Sequence, residues 1–106
     1  MANVLINAPK KARKGEVIEI KALILHPMET GFRVGTNGSL IPRNIIEHFT
    51  AYWNGRQIFD MQLSPAIAAN PYVSFFTSAG ESGTIALRWM GDRGFAVEEA
   101  VSIVVE

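Results

Sequence analysis

The sequence predicts an all-β fold of about seven antiparallel strands in two packed sheets. Three observations carry this. Apolar and polar residues alternate with a period of two over most of the chain. Turn-forming residues interrupt the alternation roughly every 8 to 20 residues. No stretch shows the 3.6-residue apolar period of a surface helix. The architecture expected is an immunoglobulin-like β-sandwich, without the cysteine pair of antibody domains.

The elements follow in order. A short strand near residues 3–7 ends at Ala8-Pro9. Lys10-Lys11-Ala12-Arg13-Lys14 reads as a solvated turn, with a basic docking patch as the other option. Residues 16–25 form a strand with Ile18, Ile20, Ala22 and Ile24 on one face and Glu19 and Lys21 on the other. It breaks at His26-Pro27, because a residue before proline is restricted and proline has no N–H to give. Residues 34–43 are loop-like, punctuated by Gly35, Asn37, Gly38, Ser39 and Pro42. A strand over 45–53 puts Phe49, Ala51 and Trp53 on one face. Asn54-Gly55 then supplies the pair of positive-φ residues that a type I′ hairpin turn requires.

The return strand covers 56–63, and residues 64–71, bounded by Pro65 and Pro71, cross over. Strands over 72–79, 84–90 and 95–105 follow, turned by Gly80-Glu81-Ser82-Gly83 and Gly91-Asp92-Arg93-Gly94. In the last two strands Ile85, Leu87 and Trp89, then Val97, Val101, Ile103 and Val105, share a face.

A chain of 106 residues makes one domain with a real core. Its 10 basic and 10 acidic residues cancel, which argues against a nucleic-acid binder. With no cysteine, there is no disulfide, thiolate nucleophile or Cys-ligated metal. No run of 18 apolar residues predicts a membrane span. The start of the sequence lacks the charged end and long apolar run of a signal peptide, so the chain alone reads as cytoplasmic.

Chemistry finds little purchase. Gly80-Glu81-Ser82-Gly83 is one residue short of a nucleophile elbow and lies between two strands. His26 ends a strand and His48 lies within one; neither has metal-ligand spacing. Glu98 and Glu99 are adjacent on a strand, so they point to opposite faces; one faces inward unless that edge is solvated or the strand bulges. Their expected role is to guard an edge strand against aggregation. Asn37-Gly38-Ser39 matches a glycosylation sequon by three residues only. No catalytic, cofactor-binding or metal-binding residue is assigned, and the chain is not expected to be an enzyme.

Binding surface remains. After His26 comes Pro27-Met28-Glu29-Thr30-Gly31-Phe32-Arg33, which sets apolar bulk in a loop. Such bulk needs burial in the protein's own core or on a partner. Phe75 and Phe76 put aromatics on both faces of one strand, beside Tyr72 and Val73. Either residues 27–44 fold over that second face or a partner covers it.

The segments His26-Pro27-Met28-Glu29-Thr30-Gly31-Phe32-Arg33, Ile41-Pro42-Arg43-Asn44-Ile45-Ile46, Asn54-Gly55 and Ala68-Ala69-Asn70-Pro71-Tyr72 occur in the order found in the SoxZ family, which the chain resembles over about residues 14–104. The resemblance implies an immunoglobulin-like sandwich that carries no catalytic residues and no cofactor. It implies pairing with SoxY, whose C-terminal cysteine carries sulfur intermediates of thiosulfate oxidation. It also implies transient contact with other Sox enzymes, and a periplasmic location reached by export with a signal-bearing partner. The residues expected to meet the partner are Pro27, Met28, Phe32 and Arg33, then Asn70, Pro71 and Tyr72. Self-association is expected where the partner is absent. The competing reading is a stand-alone immunoglobulin-like binding module without sulfur chemistry.

Overall fold

A computed structural model describes residues 3–106. Among the described residues eight strands form two sheets: β1 (Val4–Asn7), β2 (Lys11–Ala12), β3 (Val17–Ile24), β4 (Ile46–Trp53), β5 (Arg56–Gln62), β6 (Tyr72–Ser78), β7 (Gly83–Gly91) and β8 (Ala96–Val105). One sheet has the order β1-β3-β6, the other β2-β8-β7-β4-β5. All pairs are antiparallel except β2 with β8. The all-β sandwich is as expected, with one strand more. The extra strand is β2: Lys11 and Ala12, expected in a turn, pair with Val104 and Val105. Two residues carry no readable alternation, so only the partner strand defines it.

The core lies between the sheets, built from the residues whose alternation placed them on one face. From the smaller sheet come Ile18, Ile20, Ala22, Ile24, Val73 and Phe75; from the larger, Phe49, Ala51, Trp53, Ile85, Leu87, Trp89 and Ile103. Phe49 packs against Phe75 and Trp89, and Phe59 stacks on Phe75 across the sheets. Asn54 and Gly55 have φ of 50° and 84°, as their turn requires. Asn54 also ties the neighbouring turn, its amide accepting from Thr84 N–H and donating to Ser82 C=O.

The long link from β3 to β4 is not an open loop. Glu29 and Asn44 exchange backbone hydrogen bonds of 2.8 Å, and Val34 bridges Leu40, making residues 29–44 an irregular hairpin. Gly31, at φ 91°, lets the two arms close up: a Cβ there would sit 3.1 Å from that of Arg43. The hairpin is pinned to the sandwich at Gly91-Asp92. Arg43 forks onto both Asp92 oxygens at 2.9 and 2.8 Å, and Asp92 accepts Ile45 N–H. At Gly91 a Cβ would lie 2.2 Å from the Ile45 carbonyl, so only glycine permits this approach.

Candidate partner-binding surface

The root of the hairpin belongs to the core. His26 is buried, and its backbone exchanges hydrogen bonds with Asn70: its N–H reaches Asn70 Oδ1 at 2.9 Å and its carbonyl accepts Asn70 N–H at 2.8 Å. Met28 is 5% exposed; its N–H donates to His26 Nδ1 and its sulfur accepts Ile46 N–H. The expectation that Met28 presents its side chain to a partner is therefore corrected. Its bulk is buried at home, beside Ile45 and Ile46 in the same core cluster.

Beyond the root the hairpin changes character. Phe32 is 81% exposed, and Val34 and Leu40, the bridging pair, are exposed with it. Arg33 is exposed too, but its guanidinium forks onto Glu29 within the hairpin. That pairing lowers the Glu29 pKa and raises that of Arg33. Arg33, expected among the residues that meet the partner, thus has its guanidinium engaged within the hairpin. Pro27 is exposed between two buried neighbours.

A second apolar surface lies on the outer face of β1-β3-β6. Leu5 pairs with Leu23 and Leu23 with Tyr72, giving one row across all three strands. Leu25 continues it on the same face, towards the hairpin, because it stands two residues beyond Leu23. Leu5, Leu25 and Tyr72 are exposed, and Phe76 lies farther along β6 beside Glu19. Residues 27–44 leave these side chains uncovered, so that of the two ways to cover this face the internal one is not taken. Pro71 is buried and Asn70 is bound to His26, which makes both supports for the row.

The other outer face is different. On β4, β5, β7 and β8 charged and aromatic groups pair, His48 with Asp60, Arg88 with Glu98, and Arg88 over the Tyr52 ring at 5.7 Å, with Met90 and Val104 as the exposed large apolar residues. The reactive residues stay dispersed. Ser82 Oγ is taken up by the Val105 backbone, accepting its N–H at 2.7 Å. Glu99 stands in register with buried Leu87 yet is exposed, in a cleft of about 360 Å³ with Val4, Leu5, Leu23 and Leu25. Among the described residues no three His, Asp or Glu side chains gather as metal ligands would.

Sequence reasoning flagged Phe76 but missed Leu5, Leu25, Val34 and Leu40 as surface residues of interest. The signal was present in the parity: Leu23 and Leu25 are out of phase with Ile18, Ile20, Ala22 and Ile24, as is Leu5 with Val4 and Ile6.

These features define a class: a two-sheet sandwich with dispersed reactive groups and an apolar row beside an apolar-tipped hairpin. The chain belongs to the SoxZ family, whose model, described as sulphur oxidation protein SoxZ, matches residues 6–102. No curated protein matches the sequence. Among solved structures it is similar to a superoxide reductase (neelaredoxin) from Ignicoccus hospitalis, with a TM-score of 0.71 at 16% identity over 97% of this chain and 80% of that one. It is also similar to the sulfur carrier protein SoxY from Chlorobium limicola f thiosulfatophilum, at 0.66 and 12% identity over 97% and 78%. At such identities the likeness is one of fold alone.

Proposed function

We propose that this chain is the non-catalytic subunit of a sulfur-carrier complex, pairing with a SoxY-like chain whose C-terminal cysteine holds the sulfur intermediates. The observation that carries this reading is the family match over residues 6–102. Two further facts support it. The chain has no cysteine, so any covalent carriage of sulfur falls to another chain. Among the described residues, six of the eleven exposed large apolar side chains, Leu5, Leu25, Phe32, Val34, Leu40 and Tyr72, lie on the hairpin tip and the adjoining row.

Docking uses Phe32, Val34 and Leu40 on the hairpin and Leu5, Leu23, Leu25 and Tyr72 on the sheet. Aromatic anchors on such a patch contribute most when a partner desolvates them. The complex works in the periplasm, this subunit leaving the cytoplasm with a signal-bearing partner. Contacts with other Sox enzymes are transient, and the isolated chain self-associates through the same apolar surface.

The test is co-expression with a chain ending in Gly-Gly-Cys-Gly-Gly, followed by size-exclusion chromatography. A stable heterodimer is expected, with the cysteine of the partner alone labelled by a thiol reagent. Separate elution of the two chains at micromolar concentration contradicts the reading and favours a stand-alone binding module.

A further inference from the structure

The hairpin root holds a titratable group in an acceptor role. Met28 N–H points at His26 Nδ1 from 3.0 Å in a buried position. A backbone N–H can only donate, so Nδ1 must offer its lone pair and the ring must be neutral, with its proton on Nε2. This bond helps hold Met28 at φ 51°, a conformation that costs a side-chain-bearing residue energy. Met28 in turn anchors β4 through its sulfur and Ile46 N–H, at 3.3 Å. Protonating Nδ1 would set one N–H against another and remove the acceptor.

We propose that His26 is a proton-operated latch: its neutral ring fastens the hairpin of residues 29–44, and its protonated ring releases it. As a regulation of docking this rests on the reading of the hairpin as a partner-binding element; the latch itself does not.

The surroundings favour the neutral ring. The Phe95 ring packs T-shaped against it, centroids 4.8 Å apart, and offers no charge. Asn70 meets its backbone, and Met28 its Nδ1. The charged group acting on it is Asp92, on the turn after β7, whose carboxylate is held by Arg43 and Ile45 N–H. Burial lowers the His26 pKa from 6.5, and the opposing pull of Asp92 is the smaller effect. In the released hairpin His26 regains its ordinary value. The closed state is therefore fully favoured above 6.5 and loses ground as pH falls towards the lowered value. Over that window the opening constant rises by up to about tenfold per pH unit.

The experiment is an NMR titration of the full chain from pH 8 to 5. It follows the His26 ring nitrogens and the exchange protection of the Glu29 and Asn44 amides, which close the hairpin base. Expected are an Nε2–H tautomer at pH 8, a midpoint below 6.5, and protection, corrected for intrinsic exchange, that falls with the titration. His26→Asn keeps an acceptor oxygen within reach of Met28 N–H and removes the proton site. Its protection should be flat with pH. Protection that ignores the His26 titration in the wild type overturns the latch, whether or not the variant folds. So does a wild-type pH response in His26→Asn. None of these readouts involves a partner, so their failure is distinct from failure of the docking assignment.

Discussion

Met28 and Phe32 stand four residues apart in one hairpin and meet opposite fates: the first is 5% exposed, the second 81%. Both are large, apolar and placed next to chain breakers, Pro27 and Gly31. The difference lies in what each arm of the hairpin can reach. Met28 is carried inward by bonds to His26 and Ile46, which tie it between the end of β3 and the start of β4. Phe32 lies past the Glu29–Asn44 bridge and is left exposed, although Arg43 on the opposite arm still reaches Asp92. One segment thus serves two ends, with its root finishing the core and its tip standing clear of it.

The largest expected effect breaks the root. Met28→Ala removes buried bulk and a hydrogen-bond acceptor, and should destabilise the fold by about 2–5 kcal/mol in urea unfolding. Phe32→Ala should stay within about 0.5 kcal/mol of the wild type. Equal losses for the two variants would erase the division between root and tip.

The next effect sharpens the contrast between outer faces. Tyr72→Ala, on the apolar row, should weaken binding to a SoxY-like chain by about tenfold or more. Gln62→Ala, on the outer face of β5, should leave it unchanged. Surface plasmon resonance separates the two outcomes, and parallel losses would mean that the larger sheet also docks.

The smallest effect concerns the pin between hairpin and sandwich. The Arg43 guanidinium, then the Ile45 N–H, holds the Asp92 carboxyl below its usual 3.8. A depressed carboxyl contributes its stability fully above 3.8, and that contribution is lost as pH falls through the lowered value. Asp92→Asn should therefore lower Tm slightly at neutral pH and flatten its decline in acid. Arg33→Ala, which breaks an exposed pair within the hairpin, should move Tm less still.

How much of this was legible in the sequence depends on range. β3, β4 and β7 announced themselves because alternation over eight or nine residues averages out exceptions. The Asn54-Gly55 turn was legible because its chemistry is local. β2 was not, since Lys11-Ala12 is a strand only through Val104 and Val105, more than 90 residues away. The loop after His26 was legible as unusual but not as divided. Which apolar residue turns inward depends on Asn70, Ile46 and Asp92, contributed by three other segments. The engagement of Arg33 by Glu29 was likewise hidden, because the spacing of four carries weight only once the arm's conformation is known.

The central claim is that the hairpin tip is held out for a partner while its root belongs to the core. Titration calorimetry of a SoxY-like chain with the wild type and with Phe32→Ala/Leu40→Ala tests it most directly. The account predicts that the double variant keeps the wild-type Tm and binds at least about tenfold more weakly. Undiminished affinity in the folded double variant would contradict it.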